Sequence, residues 1–317
     1  MTGTSAADAA FLVPSTVEAA VEALGDAGPG AVALAGGTSI GLLIGQGLLA
    51  PSALVWLGRI PELSVLQEED ERMSIGATVT LAALAADPRV RSAAPALADA
   101  AASVGNTRVR AVATIGGALV HADPRQDLPP VLLALDARVE VAGRGGRRCL
   151  AVDQLIDGYL STDLGQEEVV TAVRVPLVDG RRSCYLRFTP GSADDYPTVA
   201  AAASVRVVDG VPTAVHLAIG GAGPTAYLVP EAEEVQGAPA RRWAKAVAEV
   251  AEAAARRADP VDDRLGSAAY KRRMVAVWAR RALERCLCAE RAEGWASRDE
   301  RRAREAPQEG PGSSPVA

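Results

Sequence analysis

The 317 residues carry 33 basic and 39 acidic side chains for a net charge of −6, and 49% are hydrophobic, enough for a sizeable core in two domains of ordinary size. An acidic chain whose only lysines are Lys245 and Lys271 lacks the basic domain that nucleic acid requires, and no apolar run approaches the roughly 20 residues of a spanning helix. Four scattered cysteines (Cys149, Cys184, Cys286, Cys288) and two histidines (His121, His216) leave little material for a disulfide framework, a metal site or Ser-His-Asp catalysis; without a basic-then-apolar leader, the cytoplasm is the expected location.

In chain order, Ser15 with Glu18 reads as a capping box and predicts a helix that buries Val17, Ala20, Val21 and Leu24 before Gly25. The apolar runs Ala31 to Ala35, Ala53 to Leu57 and Met73 to Ala77 predict buried strands. A short helix is expected over Thr80 to Ala86, stopped by Asp87-Pro88, and an alanine-rich one over Pro95 to Ser103. Arg110 to Gly117 reads as strand and turn, Leu128 to Leu135 as helix, and Arg138 to Val141 with Arg148 to Val152 as a hairpin around Gly143 to Gly146. This mixed α/β unit closes near Val175-Pro176.

Residues 181 to 285 read as an α+β unit. Its predicted antiparallel strands are Tyr185 to Phe188, Ala200 to Val208 and Ala214 to Ile219, with a turn at Asp209-Gly210. Two helices follow: Arg241 to Arg257, with Trp243, Val247, Val250 and Ala254 on one face, and Ser267 to Arg285, with Tyr270, Met274, Val277 and Trp278. Beyond Cys288 the chain turns charged and then Pro/Gly/Ser-rich, so 289–317 is expected to be a disordered tail.

Gly28 to Ala33 and Gly221 to Ala226 both satisfy G-x-G-x-x-A, but the first precedes its strand and the second contains Pro224 and opens no helix, so neither reads as a dinucleotide fingerprint. Ala35-Gly36-Gly37-Thr38-Ser39 and Thr114-Ile115-Gly116-Gly117-Ala118 have better context, each following a candidate strand. Glycine lets backbone N–H groups approach phosphate oxygens, and Thr38, Ser39 and Thr114 add hydroxyls. From composition alone they read either as two faces of a diphosphate site or as tight turns of an α/β fold.

Ala35 to Ile40 (A-G-G-T-S-I), Thr114 to Leu119 (T-I-G-G-A-L) and His121 to Pro129 (H-A-D-P-R-Q-D-L-P) stand in the order and context of the FAD-binding (medium) subunit of the molybdenum hydroxylases, the carbon monoxide and xanthine dehydrogenase flavoproteins, which this sequence resembles over about residues 10 to 285. Val104-Gly105-Asn106, Tyr185 to Tyr196, Ile219-Gly220-Gly221 and Tyr270 to Met274 extend the likeness. The resemblance implies an α+β chain: a two-part FAD-binding domain of the vanillyl-alcohol-oxidase-like type over 1–177, with subdomains of about 1–57 and 58–177, and a C-terminal domain of antiparallel strands and helices over 181–285. It implies that Ala35, Gly36, Gly37, Thr38 and Ser39, with Thr114, Ile115, Gly116, Gly117 and Ala118, wrap the FAD diphosphate, that Ile40 and Gly105 also bind the cofactor, and that Asp127 contacts the adenosine part or its ribose. Asp123 either touches the cofactor or caps a helix beginning near Gln126; Leu164 lines the pocket; Arg187 lies near the flavin ring as a cation for its reduced form; Tyr196 either covers the ring or packs in the core.

Two departures weaken the pattern: Ala118 replaces the usual Asn or Ser, and Ala111-Val112-Ala113 replaces Asn-Arg-Gly, which removes a basic side chain. No cysteine cluster supports an extra iron–sulfur centre, so the implied cofactor is FAD alone, with no metal and no catalytic acid or base. The implied partners are a [2Fe–2S] small subunit and a molybdopterin large subunit, with electrons leaving to quinone, NAD⁺ or O₂. A free-standing FAD-dependent oxidoreductase acting on a small molecule is the alternative, with Tyr196, Tyr159 or Asp195 moving protons, and a scaffold that has lost FAD is a third.

Overall fold

The computed structural model describes residues 9–288; the expected tail, 289–317, lies outside the described residues. The chain opens with a parallel sheet of β1 (Ala10–Leu12), β2 (Ala31–Leu34) and β3 (Ala53–Trp56) in the order β1-β3-β2, crossed by α1 (Val17–Ala27) and α2 (Thr38–Gly45). In α1 the apolar period buries Val17, Ala20, Val21 and Leu24 as predicted. Its cap is Thr16 rather than Ser15: the Thr16 hydroxyl accepts the Ala19 N–H at 3.1 Å, one residue on, so Glu18 falls at the second helical position and no capping box forms.

The second sheet is antiparallel, in the order β4-β5-β8-β6-β7: β4 (Leu66–Glu69), β5 (Arg72–Gly76), β6 (Arg138–Gly143), β7 (Gly146–Ala151) and β8 (Val169–Pro176). Between β5 and β6 run α3 (Leu81–Ala86), α4 (Pro88–Ala93), α5 (Pro95–Ser103), α6 (Thr107–Arg110), α7 (Ile115–His121) and α8 (Leu128–Ala134); α9 (Val152–Leu155) follows β7. Asp87 stops α3 and starts α4, because its carboxylate accepts the Arg89 N–H while Pro88 occupies the first helical position.

The expected strand over Arg110 to Gly117 is replaced by two short helices. Asn106 caps α6 by accepting the Arg108 and Val109 N–H groups at 3.0 and 3.1 Å, and Thr114 keeps one bridge to Thr80 before its hydroxyl caps α7. Local side-chain caps here outweigh the β preference of a short apolar run.

The third sheet, β12-β11-β10-β9, comprises β9 (Arg181–Phe188), β10 (Val199–Val208), β11 (Val211–Gly220) and β12 (Tyr227–Leu228), all antiparallel. Strand alternation splits the alanines of β10: Ala200 and Ala202 join the core shared with α5 and α8, whereas Ala201 and Ala203 join that of α10 (Ala240–Arg257) and α11 (Ala268–Leu287). Small side chains thus let helices approach both faces. The fully buried stripe of α11 is Lys271, Val275, Ala279, Ala282, Leu283, Cys286 and Leu287; of the expected Tyr270, Met274, Val277 and Trp278, all half-buried, Met274 and Trp278 pack against this core from its edge. The Lys271 amine escapes by donating to the Val261 carbonyl and pairing with Asp263 at 2.7 Å, while Trp278 stacks on Phe188 of β9.

Candidate functional site

Strand β2 ends at Leu34 and runs through Ala35 into Gly36-Gly37, and Gly37 takes φ +71°, a left-handed conformation open to glycine, to start α2. A Cβ on Gly36 would overlap the Val112 carbonyl, so this turn and the segment entering α7 meet backbone to backbone. The Thr38, Ser39 and Ile40 N–H groups at the start of α2 have no acceptor within the helix, and the first turn of the helix contains no acidic residue.

The second glycine turn is built otherwise. Ile115 and Gly116 donate their N–H groups to the Val79 and Ala77 carbonyls at 3.1 and 2.9 Å, and Gly117 and Ala118 donate to the Thr114 hydroxyl and carbonyl at 3.1 and 2.9 Å. These four amides are therefore engaged within the chain, which corrects the expectation that both turns present free amides. Gly116 is glycine because a Cβ would stand 2.7 Å from that of Ala77; Gly117 is exposed. Gly105, at φ +45°, shapes the turn between α5 and α6, where Arg110 donates to the Val104 and Gly105 carbonyls at 3.0 and 2.6 Å. Arg110 is a cation beside this turn that the motif reading passed over.

Asp127, at the start of α8, is buried, and its Oδ1 accepts the Tyr185 hydroxyl at 2.5 Å and lies 3.3 Å from the Arg187 guanidinium. Burial pushes its carboxyl above the ordinary range against the pull of Arg187 and the Tyr185 hydrogen bond; burial and the facing carboxylate push Tyr185 well up, so its hydroxyl keeps the proton. With Oδ1 engaged by β9, Asp127 ties the first two-thirds of the chain to the third sheet, a role that motif matching did not foresee. Arg187 also donates to the Ser103 carbonyl, at the end of α5, and to the Asp195 carbonyl.

Asp123 caps no helix: it accepts the Arg125 N–H at 2.9 Å and pairs with the Arg125 guanidinium at 3.2 Å. Arg125 in turn lies 4.9 Å from the centroid of the Tyr196 ring, and Tyr196 is 46% exposed, which removes its core-packing alternative. Leu164 joins neither group; it packs half-buried against the main core, in a segment held by Arg148 through Asp163 and Glu168.

The family whose description is FAD binding domain in molybdopterin dehydrogenase matches residues 6–178, and that described as CO dehydrogenase flavoprotein C-terminal domain matches 185–286. The chain belongs to the FAD-binding subunits of the molybdopterin dehydrogenases. Its cofactor is FAD and its class oxidoreductase. The flavoprotein is 31% identical over 280 residues to the 6-hydroxypseudooxynicotine dehydrogenase complex subunit alpha of Paenarthrobacter nicotinovorans, covering 87% of this chain and 94% of that one. It is 31% identical over 279 residues to the carbon monoxide dehydrogenase medium chain of Hydrogenophaga pseudoflava, covering 86% and 95%. The solved carbon monoxide dehydrogenase of that organism superposes with a TM-score of 0.84 at 31% identity, over 88% of this chain and 96% of that one. These relatives are subunits of multi-subunit complexes.

At the seam between the two matched regions, the flavoprotein holds three buried polar atoms without a hydrogen-bond partner among the described residues: Gln126 Oε1, Arg187 Nε and Thr198 Oγ1. Gly221 gathers this seam. Its N–H donates to the Pro124 carbonyl at 2.9 Å, and a Cβ on it would stand 3.0 and 3.1 Å from the Pro197 and Thr198 carbonyls. The glycine set aside as a false fingerprint is thus a packing glycine. No helix of the described residues is long and apolar enough to cross a membrane.

Proposed function

We propose that this flavoprotein takes electrons from the [2Fe–2S] clusters of a small partner subunit and delivers them to an external acceptor (a quinone, NAD⁺ or dioxygen), while a molybdopterin partner oxidises the substrate. FAD supplies the two-electron carrier. The observation that carries the reading is the pairing of two unlike ends in one molecule. At one end the free amides of α2 meet the α7 entry across Gly36; at the other, orphaned polar atoms line a seam. An extended cofactor with an anionic diphosphate and a polar ring edge matches both, since buried polar atoms without partners are costly until a ligand supplies them.

The Gly36-Gly37 turn and the Thr38, Ser39 and Ile40 amides would hold the diphosphate, with Ala35 closing the turn behind them. Thr114 to Ala118 would contribute helix orientation and the open face of Gly117 rather than free amides, with Gly105 shaping the neighbouring turn and Leu164 a wall of the pocket. Arg187 would set the charge beside the ring; Asp127, expected at the adenosine part, lies 3.3 Å from Arg187 and would act through that pair instead; Tyr196 would cover the ring, with Asp123 acting through Arg125. No residue has to act as acid, base or nucleophile.

The test is gentle purification of the tagged protein from its native host, followed by a visible absorption spectrum. Flavin bands with an iron–sulfur shoulder and two co-eluting chains are expected. Flavin on a lone chain would overturn the electron-relay reading in favour of the free-standing oxidoreductase. A chain that stays colourless after addition of FAD would overturn both.

A further inference from the structure

Arg125 stands in the turn between α7 and α8 with its guanidinium fixed by one partner and presented to another. The Asp123 carboxylate receives its backbone N–H at 2.9 Å, its Nε at 3.3 Å and its Nη2 at 3.2 Å. Asp123 is itself buried, so the clamp is anchored in the body of the protein. From this position the guanidinium carbon lies 4.9 Å from the centroid of the Tyr196 ring.

Tyr196 belongs to the connection between β9 and β10, residues 189–198. Within that connection, Asp195 accepts the Ser192 N–H at 3.0 Å and returns its own N–H to the Ser192 carbonyl at 3.1 Å. Its C-terminal end is tied to β9, where the Thr198 N–H donates to the Phe188 carbonyl at 2.8 Å, and ahead of that two arginines from different parts of the chain hold it: Arg187 of β9 grips the Asp195 carbonyl, and Arg125 stacks on the next side chain. The segment held in this way borders the seam where Gln126 Oε1, Arg187 Nε and Thr198 Oγ1 lack partners among the described residues.

We propose that Arg125 is the positioning residue for Tyr196, a latch that keeps the 189–198 segment closed over the flavin-ring end of the site and sets how often that end opens to an external acceptor. The inference rests on the seam's being the flavin-ring site. The Asp123 clamp matters because an arginine already held in one geometry spends less side-chain entropy in stacking than a free one. A half-exposed Arg–aromatic stack is of the size that shifts an open–closed equilibrium about two- to fivefold when removed. Closure would therefore be favoured without being locked, as a gate for an external acceptor requires.

The experiment uses the flavin-loaded complex from the native host, with R125Q, R125K, Y196A and the R125Q/Y196A double variant. Flavin content is read from released FAD, and ring accessibility from bound-flavin fluorescence and its quenching by a neutral solute, so that loss of the cation does not bias the probe. R125Q is expected to raise accessibility about two- to fivefold at unchanged FAD content, Y196A to raise it at least as much per bound flavin, the double variant no further than Y196A, and R125K to fall between wild type and R125Q. Unchanged accessibility in R125Q with FAD retained, or additive effects in the double variant, would overturn the latch. So would loss of FAD from R125Q, which would make Arg125 a binding residue. A wild-type chain that takes up no FAD would instead overturn the site reading beneath it.

Discussion

At the residue scale, the glycines of the two turns are required for different reasons. Gly37 needs conformation: at φ +71° a side chain costs roughly 1–2 kcal/mol and would swing the first amides of α2. Gly37→Val is expected to lose most of its flavin and to lower Tm by several degrees, as read from the flavin-to-protein absorbance ratio and a thermal melt; stoichiometric flavin would count against α2 as the diphosphate holder. Gly116 needs space, so Gly116→Val, pressing on Ala77, is expected to lose both flavin and about 1–3 kcal/mol of stability. Asp127 makes a pH prediction. Its folded pKa is raised from the usual 3.8, chiefly by burial, so its protonated form is the better folded one. That contribution is complete below the unfolded value and is lost as pH rises through the folded one. The stability of the wild type relative to Asp127→Asn should therefore fall from about pH 4 upward and then level off in urea titrations. A difference that grows with pH would show that Arg187 outweighs burial.

At the element scale, periodicity located most helices and strands, whereas caps decided where they begin. The α1 face was legible because Val17, Ala20, Val21 and Leu24 keep helical spacing whichever residue caps them. The cap itself was not, since Ser15 and Thr16 have equivalent chemistry and only the path of the entering chain selects Thr16. Thr16→Ala is expected to cost about 1 kcal/mol by urea denaturation, and Ser15→Ala less than about 0.5 kcal/mol; the reverse order would restore the Ser15 cap. Helix α2 gave no sequence signal because its Ser-Ile-Gly-Leu-Leu-Ile run has no polar face, and the structure leaves none of its residues buried. Helix α7 was hidden by β-branched neighbours, and its start depends on the distant residues Ala77 and Val79, in the turn after β5, whose carbonyls accept its first amides. The expected stripe of α11 was legible only in part for a related reason: Met274 and Trp278 reach the core edge, but the Lys271 amine meets Asp263 and the Val261 carbonyl, so a charged residue takes an inward position.

At the scale of the whole molecule, the third sheet is the organiser. Its alanine strand takes helices on both faces, and β9 carries Tyr185 and Arg187 to Asp127, joining the regions matched by the two families. Arg187 binds the end of α5, the start of α8 and the 189–198 connection together. Its side chain is 13% exposed and that of Asp127 4%, so Arg187→Met leaves a buried carboxylate facing an apolar group. The expected loss is roughly 3 kcal/mol in urea, with faster proteolysis within residues 189–198. Wild-type stability in that variant would mean that packing of α5 on β9 and of α8 on β10 holds the seam without the ion pair.

The amino-acid sequence by itself determined the family, the cofactor and the residue types of the glycine turns, because these are local motifs whose order along the chain is specific. It determined the helix and strand faces wherever apolar spacing was regular. Only the tertiary structure decided that the second turn's amides are engaged, that Asp127 faces β9, and that Arg125 and Tyr196 meet across 71 positions of chain. Each of these depends on which distant backbone or side chain is delivered to a given atom. Hydrogen bonds and burial are settled by that delivery, and local spacing carries no record of it.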